Sequence, residues 1–421
     1  MAAGQVGDIE IWILAAAIGL GMLSTRFLPV AVIAALLLFT VRVYSTGRLS
    51  KRTPLDIPVI LLFTTLPVTL YATAFPQITV PQVLRMLAGL AFFYSLINWA
   101  SSRKRIGQFT ASLVLAGAGL AALAPFSVTW YTGNKLPFIP TALYNRFAVL
   151  VSDAVHPNVM GGNLAILLPI CIGLLFFYWR GLGRIKLVVL CSSSIMMVGV
   201  LFLTKSRGAW MGLVAALLVL GLLAFSKWWK LITTSAILSI TAFFILAPSS
   251  LIDTLMSSDV IGGVDGRLEI FSRSILMIRD FPLTGIGMGA YSNVVDTFYP
   301  FFLFSPGQIV HAHNLFLQVA IDLGIPGLIG WLAIFLIVSL LAIRLYQRAC
   351  KDDERFFMSL GAGLLGCQFV LAVHGLTDAV TWGMVKPAPL VWALWGLVIA
   401  AYNFQLAQPS VSLPVEKNYY S

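Results

Sequence analysis

The chain reads as an all-α polytopic membrane protein with about twelve transmembrane helices, and three observations carry that reading. Hydrophobic residues make up 59% of its 421 positions and charged residues only 10%, for a mean hydropathy of +0.93. That composition cannot supply a soluble globular surface. Apolar runs such as IEIWILAAAIGLGML, IPVILLFTTLPVTLYATAF and GQFTASLVLAGAGLAALAPF are each long enough to cross roughly 30 Å of hydrocarbon as helices. The loops between these runs also sort by charge into two alternating sets, as the two sides of a membrane require.

Residues Met1 to Ile9 contain Asp8 and no Lys or Arg, so the first run is expected to be a retained span rather than a signal peptide. Spans are expected near residues 9–24, 28–45, 57–75, 82–100, 107–126, 158–179, 185–204, 208–226, 229–248, 325–346, 356–375 and 386–403. One set of loops holds Arg42, Arg48, Lys51 and Arg52, then Arg103, Lys104 and Arg105, then Arg180, Arg184 and Lys186. With Lys227, Lys230, Arg344, Arg348, Lys351, Arg355 and Lys417, it accounts for 17 of the 27 basic residues. The positive-inside rule makes that side cytoplasmic, with both termini inside. The net charge of +11 is then a topology signal, and a nucleic-acid partner is not expected. Residues 1–421 form one integral membrane domain, in which 249–313 is a long outer loop containing amphipathic helices.

The outer side carries Arg26, Arg85, Lys135, Arg146, Lys205, Arg207, Arg267, Arg273, Arg279 and Lys386, and all four histidines, His156, His311, His313 and His374. Outer cations oppose the orientation signal, so those in short loops point to chemistry. Lys205 and Arg207, in LTKSRGAWMG, lie in a tight turn between two apolar runs and suit an anion. Arg267 opens GRLEIFSRSILMIRD, whose Leu268, Phe271, Ile275 and Ile278 have the spacing of one helical face. Such a helix would lie on the membrane surface or cover a cavity, and its glycine-preceded start suits phosphate oxygens. Gly285, Gly287 and Gly289 lack the spacing of a dinucleotide fingerprint and read as a tight turn.

In HAHNLFLQVAIDLGIPGL, His311, Asn314, Gln318 and Asp322 form a polar stripe if helical, with His313 off it toward a less polar face. A histidine there resists protonation and suits a general base; the spacing alone leaves both His311 and His313 open. His374 and Asp378 would pair on a helix. Arg85 lies a turn inside the outer edge of its span and could approach a phosphate, though snorkelling also accounts for it. With no Asp-x-Asp pair outside, and two rings of His-Ala-His that diverge on a helix, neither metal nor cofactor is expected. Cys171, Cys191, Cys350 and Cys367 have no ligand spacing and read as packing residues.

The succession of TKSRG, GRLEIF with MIRDFPLTGIGMGAY, and HAHNLFLQVAIDLGIPGL resembles the bacterial O-antigen ligase and polymerase superfamily of lipopolysaccharide assembly, over roughly residues 140–375. The resemblance implies a GT-C-like glycosyltransferase architecture in the Gram-negative inner membrane, with a periplasmic active site. It also implies a ligase that moves O-antigen from undecaprenyl diphosphate to a terminal sugar of lipid A-core, by metal-independent inverting transfer. Arg207 and Arg267 would hold the donor diphosphate and His313 would be the base. Lys205 would add charge, while Arg146, in YNRF, and His156 would line the donor or acceptor path. A polymerase would share the donor chemistry. A protein O-oligosaccharyltransferase fits less well, because no appended outer domain is seen. A secondary anion transporter would want mid-span carboxylates and inverted repeats, which are not evident.

Overall fold

The computed structural model describes residues 3–23, 25–130, 141–144, 147, 149–150, 154–228, isolated positions between 230 and 242, 264–382 and 388–408. Its helices are α1 (Ala3–Leu23), α2 (Leu28–Thr46), α3 (Asp56–Ala72), α4 (Pro76–Trp99), α5 (Arg103–Ser127), the single turn α6 (Thr141–Tyr144) and α7 (Pro157–Phe177). There follow α8 (Arg184–Leu203), α9 (Arg207–Ala224), α10 (Val264–Asp280), α11 (Tyr291–Phe298), α12 (Leu315–Lys351), α13 (Arg355–Gly375) and α14 (Ala388–Ala407). Among the described residues the extended pairing is confined to an isolated bridge between Val128 and Val155. Helices suit this setting because each satisfies its own backbone in lipid.

Nine helices among the described residues are long and apolar enough to cross a membrane, fewer than the twelve expected. The side chains of α1 are described only over residues 8–21, α3 has only 17 residues, and most of 229–248 lies outside the described residues. The other nine expected spans are the nine found.

The bundle is organised around α13, which packs on α7, α9 and α12, while α14 packs on α4. Lipid tails give apolar helices little reason to associate, so close packing must do so. At the α7–α13 crossing a Cβ on Gly173 would stand 2.6 Å from the Ser359 carbonyl oxygen, and one on Gly363 would stand 2.9 Å from that of Pro169. Only glycine permits that approach. On α2, buried Arg42 pairs with Glu10 and donates to Ser95 Oγ (3.0 Å) and the Leu49 carbonyl (2.7 Å), so this basic residue pins α1, α2 and α4 together.

Two features of the outer region differ from expectation. First, α10 buries Ile270, Ser274 and Met277, whereas Leu268 and Ile275 are exposed. Its core face is rotated from the one predicted, because its partners are α11 and the loop after it, through Tyr291, Val295, Phe304 and Ile309. The helix also begins at Val264, leaving Arg267 inside its first turn.

Second, α12 is broken at Gly324 (φ 73, ψ 179) ahead of Pro326. The main-chain groups released by the break find partners: Ile286 N–H donates to Ile321 O (2.8 Å), Ile325 N–H to Pro282 O (2.7 Å), and Thr69 Oγ1 to Asp322 O (2.7 Å). Gly285 lies at φ 64, and a Cβ there would be 2.6 Å from the carbonyl oxygens of both Ile321 and Asp322. The glycine turn is therefore a clasp between the outer region and the break.

Candidate functional site

The site forms where α13 ends. After Gly375 the chain turns back, the amides of Thr377 and Asp378 both donating to the His374 carbonyl at 2.9 Å. Asp378 is buried, and its carboxylate accepts from Ala379 N–H (2.8 Å) and Asn158 Nδ2 (3.0 Å) and lies 3.5 Å from His311 Nε2. On the other side of that ring, His311 Nδ1 accepts the backbone N–H of His313 at 3.1 Å. An accepting Nδ1 carries no proton, so the proton of neutral His311 sits on Nε2, facing Asp378. Both nitrogens of His311 are thus engaged.

The His313 ring lies 4.2 Å from that of His311, centroid to centroid. His313 has φ 47, a left-handed conformation that costs a non-glycine residue about 1–2 kcal/mol. It is held there by its neighbour: Asn314 caps α12, its Oδ1 accepting from Phe316 and Leu317 N–H at 3.0 and 3.1 Å, and its Nδ2 donates to Leu376 O (3.4 Å). The expected polar stripe is therefore interrupted. The helix starts at Leu315, so only Gln318 and Asp322 lie on it, bonded at 2.9 Å, with Gln318 Oε1 accepting Ala312 N–H and Asp322 accepting Trp382 Nε1–H.

Burial, reinforced by the charges of His311, Arg267 and His156 and opposed by Asp378, pushes His313 down to about 3. Burial lowers His311 as well, with Asp378 opposing. Burial disfavours the charged form of Asp378, but its three histidine neighbours and the Ala379 N–H outweigh it and hold the carboxyl at about 2. His313 is thus neutral in the free protein at neutral pH.

Arg267 faces this group, with Arg207 near it. Arg267 Nη1 donates to Thr377 O at 3.0 Å. Burial lowers its guanidinium, Asp378 opposes that, and Arg207 is close enough to add to it. Arg207 opens α9, and the adjoining Gly208 packs against Thr377 and His374, where a Cβ would meet His374 Cδ2 at 3.0 Å. Lys205 (φ 54) is buried in the preceding turn with Nζ 4.8 Å from the Tyr144 ring centroid.

The remaining candidates separate. His156 caps α7, its Nδ1 accepting from Asn158 N–H at 3.2 Å. Arg85 is buried, only 4% exposed, and bonded to Gln82, so snorkelling does not describe it. His374 does not bond to Asp378 as a helical pair, since α13 ends at Gly375; its Nε2 has no hydrogen-bond partner among the described residues. Arg146 lies outside the described residues. Sequence reasoning missed Asn158 and Thr377, which tie α7 and α10 to the turn. For Asn158 the one available signal was its place at the start of a span beside His156.

The two rings of His-Ala-His, which would diverge on a helix, converge here because residues 311–314 form a non-helical turn. His311, His313 and Asp378 offer ligand atoms all within 4.8 Å of one another, a spacing that a metal ion fits. Arg267 stands against a resident ion, placing a cation beside the same carboxylate.

A family model described as O-antigen ligase matches residues 192–332. The match begins within α8 and ends past the break in α12, taking in Lys205, Arg207, Arg267, His311 and His313 but not Asp378. The match spans a third of the chain, and over that segment the chain is similar to the O-antigen ligases. No curated protein matches the chain.

Proposed function

We propose that the chain is an O-antigen ligase of GT-C-like architecture, transferring O-antigen from undecaprenyl diphosphate to a terminal sugar of lipid A-core at the periplasmic face of the inner membrane. The observation that carries this reading is the meeting of two arginines with a neutral, strained histidine around Asp378, in a family whose described activity is ligation. The orientation follows from the basic loops, which gather at the other end of the helices and put both termini in the cytoplasm.

In this reading the acceptor hydroxyl oxygen attacks the anomeric carbon and the bond from that carbon to the diphosphate breaks. The hydroxyl proton passes to a ring nitrogen of His313, and the departing undecaprenyl diphosphate takes the bonding pair. Arg207 and Arg267 meet the charge that develops on it, as fixed cations stabilise a leaving group without a metal. His313 is a weak base in the free protein. Burial is the main reason, and a bound diphosphate opposes it by placing an anion beside the ring and offsetting the smaller contribution of Arg267. His311, fixed between Asp378 and the His313 amide, positions the base, and among the described residues no hydrogen bond engages the His313 ring.

The test is transfer from purified undecaprenyl-diphosphate-linked O-antigen to lipid A-core, in detergent with chelator, by the intact protein and by His313→Ala. Product from the intact protein alone is the expected result. Extension of lipid-linked glycan without any transfer to lipid A-core would replace the ligase reading with a polymerase.

A further inference from the structure

At the helix ends remote from the histidines, α5, α7 and α8 enclose a cavity of about 840 Å³, in the roughly 300–1,000 Å³ range of small-molecule sites. From Asn158, beside Asp378, α7 runs 16 residues to the lining Leu174, about 24 Å along the axis. The cavity therefore lies at the opposite membrane boundary from the site already described. Its walls are apolar, with Val114, Leu174 and Leu190 inside, and it opens sideways past Leu115 and Ile185, which are 56% and 80% exposed.

Its mouth is basic. Arg103 is neutralised by Glu354. Lys104 and Lys186 also line the cavity, are exposed, and have no carboxylate partner among the described residues. An occupant must offer a long apolar chain to the walls and net negative charge to two lysines. Free phosphate would leave the walls wet, and a zwitterionic headgroup would bring its own cation against the lysines. Basic pockets between membrane helices hold anionic headgroups on this principle.

We infer that the groove between α5 and α8 binds an anionic glycerophospholipid of the adjacent leaflet, one acyl chain between the helices and its headgroup on Lys104 and Lys186. The inference does not depend on the proposed reaction.

The experiment is native mass spectrometry of the protein in detergent with equal amounts of phosphatidylglycerol and phosphatidylcholine of matched chains. Preferential retention of one phosphatidylglycerol, by about thirtyfold, is expected, as two lysines at a lipid headgroup supply. The double variant Lys104→Gln/Lys186→Gln should bring the two lipids to near equality, and Ala111→Trp, which fills the groove, should remove both. Equal retention by the intact protein, or a preference that survives the double variant, overturns the inference. Displacement of phosphatidylglycerol by equimolar undecaprenyl phosphate overturns it in favour of the polyprenyl carrier.

Discussion

Replacing Gly285 with alanine should destabilise the protein by about 2–5 kcal/mol, and the figure follows from the clasp at the break in α12. A left-handed backbone costs alanine about 1–2 kcal/mol. The new Cβ would stand 2.6 Å from the carbonyl oxygens of Ile321 and Asp322, well inside the roughly 3.5 Å at which such atoms attract. Neither oxygen can retreat, since each belongs to backbone held by other bonds. The turn must withdraw instead, lengthening the 2.8 Å bond from Ile286 N–H to Ile321 O; a buried partner left unsatisfied costs about 1–3 kcal/mol. Gly307 is the control, because it has φ 78 but nothing within 4 Å of an added Cβ, so Gly307→Ala should incur the conformational cost alone. Thermal unfolding in detergent, followed with a thiol-reactive dye that reports exposure of buried Cys171 and Cys367, separates the two. Gly285→Ala should melt roughly 2–6 °C below Gly307→Ala, at about 2 °C per kcal/mol for a large chain. Coincident melting curves would refute the clasp.

Three further outcomes bear on the site. Because His313 is held at about 3 in the free protein, its neutral form persists on acidification, so kcat/KM should stay level from pH 8 to about pH 5 instead of falling near the ordinary histidine value of about 6.5. The acid limb of kcat should lie higher, since bound diphosphate raises the histidine; coincident limbs in the two profiles would show that donor charge does not reach it. Asp378→Asn should lower kcat by about 10–100-fold with donor binding intact, less than the roughly 10⁴-fold seen when an orienting carboxylate touches the base directly. The Asp378 carboxyl is held at about 2 in the folded protein, below its ordinary value near 3.9, so its contribution of about 2–3 kcal/mol is present above pH 4 and lost as pH falls toward 2; the stabilities of the two proteins should differ above pH 4 and converge toward pH 2. Arg267→Lys keeps the charge but not the planar fork, and steady-state kinetics should show a loss of about tenfold, against about 10²–10³-fold for Arg267→Ala.

Much of the architecture was legible because hydrocarbon demands length and apolarity, and those are countable. The nine qualifying helices each fall on a predicted run, and Arg207 lies close enough to Arg267 to lower its guanidinium. Helix phase was not legible in α10. Amphipathicity assumes that apolar residues point inward, yet Leu268 and Ile275 face out and buried Ser274 sits on the core face, bonded to the Tyr291 hydroxyl at 3.2 Å. The histidine turn failed for a different reason. Asn314 before an apolar run is a helix-start signal, and reading it so would have ended the helix short of His313. The partnership of His311 with Asp378 joins positions 67 residues apart in sequence, and no local pattern carries that information. Gly324 and Pro326 are helix-breaker residues, yet the break in α12 was not read from them, and nothing in the sequence named Pro282 and Ile286 as the groups that repair it.

That repair sets a rule for exchanging parts between related chains. The segment before Gly324 takes main-chain partners from residues 282–286, and those residues can lie flat only against this backbone. A chimera whose junction falls between the glycine turn and the first turns of α12 would join two halves of one hydrogen-bonded unit from different parents. Residues 282–326 are best inherited as a single block, whichever acceptor or donor preference is being moved.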